Sequence, residues 1–233
     1  MKKVSIIAVV FLVAAFVSTA FAAPSNIKYV GSWSSLSLYK NFEKPFWGEK
    51  VPGAFPGVEV EVTSFDQMGM KGAEVFRLLG MKLFGVGATV ADYVVADEPV
   101  LAGLDLPALA PEIETARKVA EAYKPVLDEV MQKTFSAKLI SVAPYPAQVI
   151  FCNEEIGSLG DLKGKKVRAS GRTTGDFIDA VGATAVTLAF SEVPQSLQRG
   201  VVDCAVTGSL SGYSAGWGEV AKFLYPLPVG GWD

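Results

Sequence analysis

Apolar and polar positions along this chain form two alternating series joined by a connection rich in proline. "NIKYVGS" (26–32) and "PGVEVEVTS" (56–64) carry the period of two expected of strands. Between them, "LSLYKNFEKPFWGEKV" (36–51) has helical spacing, with Pro45 predicted to interrupt or bend it. Val75, Leu78, Leu79 and Leu83 share one side of a helix predicted over 73–84, and "GVGATVADYVV" (85–95) reads as a mainly buried strand running into a turn. Strand, helix, strand, helix, strand in that order implies an α/β layer on a mostly parallel sheet.

The connection "LAGLDLPALAPE" (101–112) leads into the longest periodic segment, 113–133. There Ile113, Ala116, Val119, Ala120, Tyr123, Leu127, Val130 and Met131 trace one helical face, and Pro125 should bend it. Two apolar extended runs follow, "AKLISVAP" (137–144) and "AQVIFCN" (147–153), and a second alternation then begins. A helical turn at 159–162 feeds a strand at 166–169. Next come a helix over 173–181, a strand in "ATAVTLAF" (183–190), a helix in "SEVPQSLQRG" capped by Ser191 and stopped by Gly200, and a strand in "VVDCAVTG" (201–208). Two α/β halves joined near residues 135 to 150 is the economical arrangement. There is no internal repeat and no low-complexity tract.

The first residues change the count. "MKKVSIIAVVFLVAAFVSTAFA" (1–22) has Lys2 and Lys3, an uncharged apolar stretch and the triplet Ala20-Phe21-Ala22, the pattern of a secretory signal peptide with a mature start at Ala23. Its removal leaves 211 residues and turns a formal charge of −3 into −5. The mature protein is expected to be soluble, since no later apolar stretch is long enough to span a bilayer. Net acidity without a basic run gives no footprint for nucleic acid. The chain has no histidine, which removes Ser-His-Asp and Cys-His catalysis, and no GxSxG, Walker loop or GxGxxG is found. Cys152 and Cys204 are the only cysteines: too few soft ligands for a metal site, and in an exported chain a disulfide is allowed but not required. Neither a metal nor a cofactor is expected.

In a two-lobed α/β protein the ligand crevice lies beyond the carboxyl ends of the strands. Arg168, Phe190 and Thr207 would end three strands at that rim, with Arg172 close by at a helix start. A guanidinium there suits a carboxylate or phosphate in two-pronged geometry. Each residue also has a plainer reading: Arg168 paired with an acid across the sheet, Phe190 as a core aromatic, Thr207 as a capping hydroxyl.

The stretch "SLGDLKGKKVRASGRTTGDFIDAVGATAVTLAFSEVPQSLQRGVVDCAVTG" (158–208) closely resembles the DctP-type extracytoplasmic solute-binding proteins of tripartite ATP-independent periplasmic (TRAP) transporters. That family carries "DLKGxKxR", then a helix, then "GAxxxxxxFSEVxxALQxGVVDGxEN". "LDLPALA" (104–110) is similar to its "FDLPFLF", and "GEVAKFLYPLP" (218–228) to its "YEVxKYxxxT". The resemblance implies a two-lobed solute-binding fold with a ligand cleft between lobes: lobe I over 23–140, lobe II over 141–212, and a return toward lobe I over 213–233. It implies that Arg168 pairs with the carboxylate of a small organic acid and that Phe190 packs on it. Thr207 stands where the family has Asn, and Cys204 where it has Gly, so substrate identity does not carry over.

Trp33 and Ser34 in the turn after the first strand, Tyr145 and Gln148 in "YPAQ", and Trp217 are further candidates for the ligand wall. Each also reads as packing or as a ladder-edge polar group. The family normally continues for about a hundred further residues, so the chain reads as truncated at its C-terminus and the return segment as incomplete. The implied function is capture of a carboxylate-bearing solute in the periplasm and its delivery to the permease subunits of a TRAP transporter, with no chemistry performed. Two alternatives stand beside it: a ligand-sensing subunit presenting to a receptor, and a secreted enzyme built on Glu192, Asp203 and Asp176.

Overall fold

A computed structural model describes residues 26–227; the segment read as a signal peptide, 1–22, lies outside the described residues, as do 23–25 and the last six. Two sheets organise the chain. The first consists of β1 (Asn26–Gly31), β2 (Glu59–Ser64) and β3 (Val86–Gly87), all parallel, in the order β2-β1-β3. In β2 the valines are half-buried between exposed glutamates, whereas β1 is buried on both faces from Tyr29 to Gly31, and β1 pairs with β2 in unbroken register from Asn26–Glu59 to Gly31–Ser64.

Between these two strands helical structure, α1 (37–54), continues through Pro45. The missing N–H of Pro45 is accommodated by π-type turns on either side, at Tyr39–Glu43 and Phe46–Lys50, so of the interruption or bend expected there the chain shows no break in the helix. After α2 (Glu74–Gly80), the strand expected over 85–95 is only two residues long. Ala91–Val94 instead form a 3₁₀ turn that carries Asp92 out of the sheet and toward the second half of the chain. The long helix α3 (Ile113–Phe135) contains Pro125, buries Leu127 and Met131 in a cluster with Phe76, Val94, Val95 and Leu101, and ends at Ser136 in left-handed conformation.

The second sheet holds β4 (Gln148–Cys152), β5 (Lys166–Ala169), β6 (Thr184–Thr187), β7 (Cys204–Gly208) and β8 (Phe223–Tyr225), in the order β6-β5-β7-β4-β8. Its helices are α4 (Arg172–Ala180), α5 (Val193–Gln198), α6 (Ser209–Ser214) and α7 (Trp217–Val220). Crossovers through α4 and α5 make β6-β5-β7 parallel, whereas β4 runs antiparallel to both neighbours, so this sheet is mixed. Of the two extended runs expected over 137–153 only the second is a paired strand. The segment expected to return to lobe I from residue 213 stays with the second sheet as far as Tyr225, because β8 pairs with β4. Cys152 and Cys204 lie directly opposite each other on β4 and β7 and are joined by a disulfide.

One apolar cluster spans both halves. Trp33, Leu36, Phe65 and Phe84 from the first meet Phe151, Phe190, Val193 and Trp217 from the second, so the two lobes are closed on each other. Among the described residues no helix is long and apolar enough to cross a membrane.

Candidate functional site

The parallel strands of the second sheet end toward the seam between the lobes, and β5 delivers Arg168 there from the sheet's interior. Lys166–Ala169 reads Lys-Val-Arg-Ala, with the last three residues buried between β6 and β7. A guanidinium with only 1 % of its residue surface exposed must find acceptors within the protein. Arg168 Nε donates to the carbonyl of Leu188 at 3.0 Å, and Nη1 to that of Val206 at 2.8 Å. These acceptors lie just beyond β6 and within β7, so the two flanking strands fix the plane of the fork. The indole of Trp217 lies 5.7 Å from the guanidinium carbon, within range of a cation–π contact.

The cation lines a residual cavity of about 10 Å³ together with Trp33, Leu36, Tyr93, Tyr145, Ser170, Phe190, Thr207 and Ser211. Aromatic rings wall it. Trp33 meets Phe190 at 5.1 Å, Tyr93 at 5.9 Å and Tyr145 at 6.0 Å, and Phe190 leans on Trp217 at 5.1 Å. Trp33 and Tyr93 come from the first half of the chain and the others from the second or from the connection, so closure of the lobes builds the wall. A mainly apolar groove of about 300 Å³ adjoins the cavity and shares Leu36, Tyr145 and Ser211 with it.

Arg168, Phe190, Thr207, Trp33 and Tyr145 therefore meet around one cavity. The other candidates are placed differently. Ser34 gives its hydroxyl (2.6 Å) and amide (3.0 Å) to Asp66, tying the turn after β1 to the one after β2. Arg172 sits on the outer surface of α4, 3.8 Å from Asp176, because the helix begins at Arg172 and turns that side chain away from the seam. Trp217 is fully buried behind Phe190 and Arg168 and supports the wall without forming its surface. Gln148 is buried at the first position of β4, where its Nε2 donates to the carbonyl of Pro146 at 3.3 Å.

The carboxylates considered for an enzyme are engaged elsewhere. Glu192 accepts from the Ala189 amide at 3.1 Å and so caps the turn that Ser191 was expected to cap, while Asp203 accepts from the Lys166 amide at 2.8 Å. Asp176 is the surface partner of Arg172. Among the described residues no group of three His, Cys, Asp or Glu side chains could hold a metal ion.

Sequence reasoning missed Tyr93, Ser170, Ser211 and, above all, Asp92. Asp92 is 2 % exposed; its Oδ1 accepts from the Thr173 hydroxyl at 3.0 Å and its Oδ2 from the Ser170 hydroxyl at 3.3 Å. Burial pushes its carboxyl above the usual range, against the pull of the Thr173 hydroxyl and amide, the Ser170 hydroxyl and the Arg168 charge. An acid inside the apolar run 85–95 was the available signal, and reading that run as a mainly buried strand running into a turn did not single it out.

The family described as bacterial extracellular solute-binding protein, family 7 (DctP), matches residues 39–226. The chain belongs to that family. Its fold is shared with a Bordetella pertussis extracytoplasmic solute receptor binding pyroglutamic acid, at TM-score 0.80 and 23 % identity, over 88 % of this chain and 68 % of the other. It is also shared with a TRAP periplasmic solute-binding protein from Desulfovibrio salexigens with bound orotic acid, at TM-score 0.79 and 20 % identity, over 90 % of this chain and 68 % of that one. A third, from Sulfurospirillum deleyianum with bound succinate, gives 0.75 and 25 %, with 85 % and 64 % covered. The chain thus covers 64 to 68 % of the length of these three structures.

Proposed function

We propose that the protein is a periplasmic receptor that captures a small carboxylate-bearing solute between its lobes and passes it to the permease subunits of a TRAP transporter. Arg168 carries this reading. A guanidinium held in plane by two backbone carbonyls at the floor of an aromatic-walled cavity is organised before any ligand arrives, so little side-chain entropy is lost on binding. Phe190 and Trp33 would cover the apolar body of the acid, and Thr207 would offer one hydroxyl as donor or acceptor. The pyroglutamate, orotate and succinate carried by proteins of the same fold are all small acids, which supports the class and leaves the individual solute open.

The residual cavity is far smaller than any of these acids, so the closed lobes must part to admit one. Binding then shifts the population back to the closed form by the ligand's differential affinity for it. A thermal-shift screen of organic acids tests the proposal. An acid at a hundred times its Kd should add about 2.7 kcal/mol of stability, several degrees in Tm for a chain of this size. If no acid in a broad panel shifts Tm, the carboxylate reading is wrong.

A further inference from the structure

Asp92 has no part in the function proposed above, yet it occupies the place in the second lobe best suited to a second anion. Helix α4 begins with Arg172, immediately after Gly171, and its first turn directs the Thr173 amide and hydroxyl, with the neighbouring Ser170 hydroxyl, toward the seam. Such a cluster of donors at a helix start favours negative charge. It is filled by a carboxylate from the opposite lobe: both Asp92 oxygens accept hydroxyl hydrogen bonds, and the contact is so close that a Cβ on Gly171 would stand 2.2 Å from Oδ2.

Ser170 connects this buried acid to the ligand cavity, because it lines the cavity and also bonds Asp92. Among the described residues lining the cavity, Arg168 is the sole charged group. One positive charge at the cavity and one negative charge directly behind Ser170 leave the closed site electrically balanced before any ligand enters.

We infer that Asp92 is a specificity-determining residue that makes the cleft select monocarboxylates over dicarboxylates. The inference rests on the carboxylate-binding function proposed above and narrows its substrate class. One carboxylate pairs with Arg168. A second would meet no cation in the cavity wall, and at Ser170 it would lie within roughly 5 to 6 Å of the Asp92 charge, where repulsion at an effective dielectric constant near 20 amounts to about a hundredfold in affinity. The remainder of a favoured ligand is therefore neutral, with an apolar or hydrogen-bonding body against Trp33, Tyr145 and Phe190.

Calorimetric titration with matched acids of equal chain length, butyrate against succinate and benzoate against phthalate, tests the inference in the wild-type protein and in Asp92→Asn. The wild type should favour the monocarboxylate of each pair by about a hundredfold. Asp92→Asn removes the charge while keeping a polar group of similar shape, and should shrink that ratio at least tenfold by strengthening dicarboxylate binding. A role confined to holding the fold would weaken both acids of a pair alike.

Wild-type protein that binds both members of each pair equally overturns the inference and leaves the carboxylate function standing; this arm needs no variant to fold. An unchanged ratio in a folded Asp92→Asn protein overturns it as well. If the wild type binds none of the four acids nor any acid of the wider panel, the proposed function falls and the inference falls with it.

Discussion

Replacing Arg168 by Ala should damage the fold as well as the site. The side chain is buried, and its removal leaves the carbonyls of Leu188 and Val206 without the donors that now reach them at 3.0 and 2.8 Å. An unsatisfied buried acceptor costs about 1 to 3 kcal/mol, and the lost packing over Trp217 adds to that. The total, about 3 to 6 kcal/mol, is a large part of the roughly 5 to 15 kcal/mol that holds a domain folded. Denaturant unfolding followed by circular dichroism should therefore show the loss directly, and Tm should fall by roughly 10 to 20 °C.

Arg168→Lys separates the two roles. It keeps the charge and can reach one of the two carbonyls, so about half the stability returns, but it loses the planar fork and should still bind carboxylates at least tenfold more weakly. Stability of Arg168→Ala within 1 kcal/mol of wild type would refute the argument that the backbone carbonyls depend on this cation. Unchanged acid affinity in Arg168→Lys would refute the role of the fork.

Three other outcomes are expected. Gly171→Ala places a methyl against the Asp92 carboxylate and should hold the lobes apart, weakening acid binding at least tenfold by calorimetry with little change in secondary structure; unaltered affinity would mean that the lobes need not approach there to bind. Reducing the Cys152–Cys204 bridge, which closes a loop of 52 residues, should cost about 4 kcal/mol in denaturant unfolding on loop-entropy grounds, and a cost under 1 kcal/mol would show that the sheet alone organises that loop. Burial opposes ionisation of Asp66, but the hydroxyl and amide of Ser34 and the Ser64 hydroxyl outweigh it and hold the carboxyl below the usual range. Its stabilising contribution is thus complete above the ordinary Asp value and is lost as pH falls through the lowered one. Asp66→Asn should be less stable than wild type at neutral pH, with the gap closing in acid; a gap independent of pH would exclude the linkage.

Much of this protein was legible along the chain because its signals are local. Period-two alternation located β1 and β2, apolar runs located β4 to β7, helical spacing located α3 and α4, and the motif around Arg168 pointed to the residue that ends up at the cavity. Where local signals competed with distant partners the reading failed. The run 85–95 leaves its sheet after two residues, and β8 stays beside β4. Arg168 and Arg172 are four residues apart and chemically alike, yet one is buried between two strands and the other lies on the outer surface of a helix, because the strand-to-helix turn at Gly171 comes between them. The sequence alone established most of the order of elements and placed an arginine near a strand end, both consequences of periodicity and residue chemistry. Only the tertiary structure paired the cysteines, set the lobes against each other through Trp33 and Phe190, and brought Asp92 to Thr173 across 81 positions, since burial and charge are properties of the space between elements that no stretch of chain contains by itself.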